Sequence, residues 1–162
     1  MPMKQLLLAV FCIAASFSLA AEEHLTVEMV TNVVFDMKKE ALKKDQTGSL
    51  KYFTDDTKFY GYYTINGTEK VETANLDQVK LDYSTSKQRK YYLLLSKDIL
   101  TLNIKITENG KKAEVFTEAR SYYLYLDKHY SNIRQTSYIF GLKDSNPVIL
   151  EVHSRNLSNI TN

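Results

Sequence analysis

Cysteine is nearly missing from this chain: there is one in 162 residues, Cys12, and it lies inside an N-terminal apolar run. A lone cysteine excludes an intramolecular disulfide and a thiolate metal cluster. Tryptophan is absent, proline occurs twice and glycine five times. Glycines so few and scattered form no phosphate-cradling loop and no nucleophile elbow, and no zinc motif accompanies them. The three histidines, His24, His129 and His153, share no spacing suited to a metal, so neither a metal nor a cofactor is expected. Charge of one sign is also lacking, with 21 Lys and Arg against 19 Asp and Glu. That balance argues against nucleic acid and against a polybasic membrane surface, both of which need clustered positive charge.

What is present begins with the pattern of an export signal. One basic residue, Lys4, precedes the apolar run Leu6 to Phe17, and Ser18-Leu19-Ala20 supplies small residues ahead of a cut after Ala20. A membrane-spanning helix needs roughly 20 apolar residues, whereas this run soon meets Glu22-Glu23-His24. The expectation is a signal peptide over 1–20, one domain over 21–156 and a flexible tail over 157–162. The mature protein would be periplasmic or secreted, without a stable membrane anchor. Cys12 leaves with the signal, so packing alone must hold the domain. A chain of roughly 140 residues can do this, since it buries about two thirds of its unfolded surface.

Apolar residues at Val30, Val33, Val34, Met37 and Ala41 follow the spacing of a helix with one buried face. A first helix of about 20 residues is predicted, with Lys43 and Lys44 at its negative end and Gly48 as the left-handed stop. Ser49 would cap a short second helix that points Leu50 and Phe53 inward, and Asp55-Asp56 would turn the chain. A strand then runs from Thr57 to Ile65 and ends in Asn66-Gly67, a strong hairpin signal. Asn75 and Gln78 have the spacing of a capping box for a third helix carrying Leu76, Val79 and Tyr83 inward. Leu100, Leu102, Ile104 and Ile106 alternate with polar residues up to Asn109-Gly110. A two-residue turn there would pair Ile106 with Ala113, Ile104 with Val115, Leu102 with Thr117 and Leu100 with Ala119. The strand that follows, Lys112 to Leu126, would span roughly 50 Å if flat, so curvature or a bulge is expected. Asp127-Lys128-His129 is read as a turn, Tyr130 to Leu142 as a strand, Asp144 to Pro147 as a turn, and Val148 to Arg155 as the closing strand.

This order of elements, the Tyr52-Phe53-Thr54-Asp55-Asp56 passage before the first strand, and the Asn109-Gly110 hairpin entering Gly-Lys-Lys-Ala-Glu-Val resemble the nuclear transport factor 2-like superfamily. The resemblance covers nearly all of the chain after the signal. It implies an α+β cone, in which a strongly curved sheet wraps N-terminal helices. It also implies a range of roles, from isomerases and dehydratases to ligand carriers and assembly subunits, among which the fold does not choose.

The pairing puts Thr117, Ala119, Ser121 and Tyr123 on the helix-facing side. Carried across the next turn, it adds Ile133, Gln135, Ser137 and Ile139. The expected ligand pocket is therefore Tyr60, Thr117, Ser121, Tyr123, Gln135 and Ser137, which offers hydroxyls and an amide but no general base, so no catalytic residue is assigned. The opposite face would gather Phe116, Glu118, Arg120, Tyr122, Arg134, Tyr138 and Phe140, the aromatic and arginine mixture of partner surfaces. His153 would point to that outer side with Glu151 and Arg155. The functional expectation is an exported, dimeric binding or assembly domain that takes a small apolar ligand or a protein partner. The alternative is an isomerase- or dehydratase-type enzyme using Tyr60, Tyr123 or Asp56 at the cone mouth.

Overall fold

The computed structural model describes residues 24–43, 46–85, 92–107 and 109–161. The expected export signal lies outside them. Helix α1 (Val27–Ala41) is followed by a 3-10 helix (Gln46–Tyr52), strands β1 (Phe53–Ile65) and β2 (Thr68–Asn75), helix α2 (Leu76–Thr85) and strands β3 (Tyr92–Ile106), β4 (Ala113–Tyr125), β5 (Lys128–Lys143) and β6 (Asn146–Thr161). The six strands form one sheet in the order β2-β1-β6-β5-β4-β3. Every pair is antiparallel except β1 with β6, which is parallel. The result is the α+β cone expected, with a curved mixed sheet wrapped over a few helices.

Helix α1 starts where Thr26 accepts a hydrogen bond from the Met29 N–H at 3.1 Å, which satisfies one of the amide groups left open at a helix start. Val30, Val33 and Val34 are buried on its inner side as the spacing required. The helix is 15 residues long and its cap, Leu42, is right-handed. Gly48 therefore does not stop the helix. It lies inside the 3-10 helix, where a Cβ would collide with the Glu40 carboxylate; its bareness admits that buried side chain, which pairs with Lys43 at 2.5 Å. The Asn75–Gln78 box forms reciprocally, with both bonds at 2.9 Å.

Asp55 and Asp56 do not turn the chain. Both are exposed in β1, at a bulge where the pairing with β6 shifts between Phe53 and Lys58. Thr57 closes that bulge from inside by donating to the Ile149 carbonyl at 2.6 Å and accepting from the Thr54 N–H at 2.8 Å. Further shifts occur twice between β3 and β4 and twice between β5 and β6, and each adds bend to the sheet. Strand β6 runs to Thr161 and pairs with β5 through the residues expected as a tail.

The hairpin at Asn66-Gly67 has both residues left-handed, at φ 50 and 77, as a two-residue turn requires. The reversal at Asn109-Gly110 is wider: of these two residues only Gly110 is left-handed, and the Thr107 N–H donates to the Lys112 carbonyl at 2.9 Å. Its register is nevertheless the one expected for Ile106, Ile104 and Leu102 against Ala113, Val115 and Thr117. The fourth pair differs, because a bulge puts Ile99 opposite Ala119 and leaves Leu100 exposed.

The larger correction is at the next turn. It consists of Leu126 and Asp127, left-handed at φ 48 and 60, with Lys128 and His129 already paired to Tyr125 and Leu124. A turn of two residues instead of three changes the parity of β5. Thr136, Tyr138 and Phe140 therefore lie opposite Thr117, Val115 and Ala113 on the inner face. Phe140 has no exposed surface and sits in the core with Val30, Val33, Val115 and Ile149. Phe140→Ala is expected to cost about 3–5 kcal/mol in urea unfolding, while Leu100→Ala costs under about 1 kcal/mol. Similar losses for the two would contradict this assignment of faces.

Candidate functional site

The inner face of the sheet and α1 enclose a cavity of about 280 Å³. One wall is apolar: Val34 and Met37 from α1, Leu50 from the 3-10 helix, Phe53 and Phe59 from β1, and Ile99 from β3. The alternation of β4 supplies Thr117 and Ala119, and β5 supplies Arg134, Thr136 and Tyr138. A second lobe of about 160 Å³ shares Thr117, Ala119, Arg134, Thr136 and Tyr138, and adds Leu94, Ser121 and Asn132. Small side chains at Ala41 and Ala119 leave the space open between the helix and the sheet.

Three cations line this cone: Lys38 from α1, Lys97 from β3 and Arg134 from β5. Among the described residues no Asp, Glu or His lines either lobe. Burial pushes the Lys97 ammonium below the usual lysine range, and the charges of Arg134 and then Lys38 push it further. Arg134 stands at the exposed mouth, its Nε donating to the Asn156 amide oxygen at 2.8 Å. In the second lobe the Asn132 amide oxygen is buried without a hydrogen-bond partner among the described residues.

The expected pocket residues are thus divided. Thr117 and Ser121 line the cone. Tyr123 shares their inward parity but stacks on Tyr130 at 5.5 Å, beyond the cavity. Gln135 and Ser137 are on the outer face, because of the β5 parity, and flank Phe116 there. Tyr60 is also on that side, stacked at 4.5 Å on His153. Conversely Arg134, Tyr138 and Phe140, expected outside, face the cone and core. Lys38 and Lys97 had not been singled out. Lys38 has the helical spacing of the inner face one residue after Met37, a signal the sequence did carry. Lys97 had none, because the bulges flanking it break the alternation of β3.

The outer face retains Phe116, Glu118, Arg120 and Tyr122 from β4. Glu118 accepts from Gln135 Nε2 at 3.0 Å, and Arg120 donates to the Tyr122 hydroxyl at 3.4 Å. As expected, His153 lies there with Glu151. Its Nδ1 meets the Tyr62 hydroxyl at 3.0 Å and its Nε2 meets Glu151 at 3.2 Å. A carboxylate–imidazole–phenol chain invites a catalytic reading. His153 is flanked in the sheet by Tyr60 of β1 and Ser137 of β5.

No family model and no curated protein sequence matches this chain. Solved structures do resemble it. The β subunit of benzoate 1,2-dioxygenase from Burkholderia mallei has a TM-score of 0.67 at 10% identity, over 82% of this chain and 91% of that one. Hexachlorocyclohexane dehydrochlorinase from Novosphingobium barchaimii gives 0.59 at 8% identity, over 82% and 90%. An NTF2-like protein from Cytophaga hutchinsonii gives 0.56 at 18% identity, over 78% and 98%. The fold is that of the nuclear transport factor 2-like proteins, which include both enzymes and subunits.

The cations make a stability prediction. Lys97 binds its proton less tightly in the folded chain than in the unfolded one. Between its depressed value and the ordinary 10.5, the unfolded state therefore holds more protons, and stability rises with pH. Lys97→Met removes the burial cost of the ammonium. The variant is expected to melt about 3 °C above the wild type at pH 7, with the gain shrinking as pH approaches 10.5. A variant that melts lower at pH 7, or a gain that grows with pH, would contradict the assignment.

Proposed function

We propose that this protein is an exported, non-catalytic binding and assembly domain that takes a small molecule into its cone and pairs with a second copy through the outer face of its sheet. The observation that carries the reading is the inventory of the cone: an apolar wall and three cations, without a carboxylate or imidazole to move a proton among the described residues. Isomerisation and dehydration need a base held dry with a tuned pKa; among the described lining residues the desolvated Lys97 amine alone meets that description, and beside Arg134 and Lys38 we read it as a holder of an anion. The residues of the enzyme alternative lie apart: Asp56 is exposed at the β1 bulge, Tyr60 is on the outer face and Tyr123 packs on Tyr130. The dehydrochlorinase shares the fold at 8% identity, which carries no reaction with it.

Export rests on the charged, apolar and small-residue order of 1–20. Dimerisation is supported by the outer face, where Phe116 sits above a groove of about 340 Å³ with Ile139 and Ser137. Glu118 and Arg120 beside it supply both signs of charge, which a two-fold axis can cross-pair. A subunit of a dioxygenase among the similar structures fits an assembling role.

Sedimentation of the wild type is expected to give a dimer, and Phe116→Arg a monomer of unchanged circular dichroism. A monomeric wild type would remove the assembly half of the reading. Native mass spectrometry addresses the other half: a small molecule retained by the wild type and lost on Thr136→Phe, which fills the cone, is the expected outcome, and turnover of a carbonyl substrate would overturn it.

A further inference from the structure

We infer that the ligand of the cone is an amphiphilic carboxylate, with its anionic end between Lys97 and Arg134 and its hydrocarbon body against Val34, Phe53, Phe59 and Ile99. The inference rests on the cone being a binding site and adds the chemical class of the occupant. Two halves of one cavity wall carry it. Val34 and Met37 of α1, Leu50 of the 3-10 helix and Phe53 and Phe59 of β1 make a hydrocarbon wall, whereas Lys38 of α1, Lys97 of β3 and Arg134 of β5 bring in three cations. Cations brought together from such distant positions repel one another and lose hydration, and a buried charge without a partner is costly. Among the described residues Lys97 has no hydrogen bond or ion pair. Arg134 uses its Nε on Asn156, and its terminal nitrogens make no bond there. One carboxylate supplies what this arrangement lacks, accepting from both side chains at once.

The buried Asn132 amide bears on a different feature of the occupant. Its oxygen has no partner among the described residues and it lines the lobe into which Lys97 and Arg134 open. Buried polar atoms are normally satisfied, and an amide oxygen only accepts, so it calls for a donor such as a hydroxyl on the occupant and adds nothing to the case for the carboxylate. Burial and the charges of Arg134 and Lys38 push the Lys97 ammonium toward losing its proton, a pressure that an anion beside it would oppose. A free inorganic anion would leave the hydrocarbon wall unused, and an anionic polymer would not enter a space of about 280 Å³. That volume is just below the range of roughly 300–1,000 Å³ of pockets for drug-sized ligands, which suits a short-chain or single-ring acid.

Calorimetry with octanoate, octanol and octylammonium separates the claims. Octanoate is expected to bind the wild type at least about tenfold more tightly than the other two. Lys97→Met should bring octanoate down to the level of octanol without weakening octanol, and Lys97→Arg should restore much of the preference. Equal binding of octanoate and octanol, or an octanoate affinity untouched by Lys97→Met, would overturn the carboxylate assignment and leave the binding cone standing. Failure of all three probes to bind would overturn the binding cone and this inference together. Since Lys97→Met is expected to gain stability, loss of octanoate binding in a variant that melts no lower than the wild type cannot be assigned to unfolding.

Discussion

The reversal at Leu126-Asp127 decides what this protein presents to its interior. Two residues, both left-handed, join β4 to β5 and place Tyr125 opposite Lys128. Every later pair follows from that count, and a strand's side chains alternate between faces. One more residue in the turn would send Phe140 to the outside and Ile139 to the core. A left-handed leucine costs roughly 1–2 kcal/mol. The register it permits buries Phe140 completely, and burying such a side chain is worth about 1.5–3 kcal/mol. The turn is therefore maintained by packing at a distance, not by its own residue preferences.

That explains how far the sequence could be read. Asn66-Gly67 announces its turn because both residue types tolerate positive φ, and the Asn75–Gln78 box is a local contest between side chain and backbone. The helix face of α1 and the pairing of Ile106, Ile104 and Leu102 come from patterns long enough to outweigh local ambiguity. Leu126 gives no such announcement, and an Asp-Lys-His turn looked more natural beside it. The bulges at Leu100 and at Asp55-Asp56 were hidden for a related reason: each inserts residues into a strand without a glycine to mark it. Thr117 and Ser121 of the candidate site were legible because they precede the unannounced turn. Arg134, Thr136 and Tyr138 follow it, and Lys97 lies between two shifts of β3, so sequence periodicity lost all four.

The correction changes the chemistry of the cone more than its shape. With the expected parity β5 would bring only neutral groups, Gln135 and Ser137, to the cavity beside Lys38 and Lys97. With the observed one it receives Arg134 at its mouth, a third cation facing the hydrocarbon wall. A fold shared by a dioxygenase subunit and a dehydrochlorinase sets no single activity, and differences arise from which side chains its strands turn inward. On the outer face the same register leaves Phe116 between Gln135 and Ser137 and commits both His153 nitrogens to hydrogen bonds with Tyr62 and Glu151. That is a mixed-polarity surface of aromatic, charged and amide side chains.

Cross-linking tests the parity of β5 directly. In a Cys12→Ser background, paired cysteines at Thr117 and Thr136 occupy directly opposed positions on one face, at a separation that a disulfide spans. Mild oxidation is predicted to join them within one chain, while cysteines at Thr117 and Ser137, on opposite faces, remain free thiols. Ready closure of the second pair with an open first pair would show that β5 is turned over, and Arg134 would leave the cone with it.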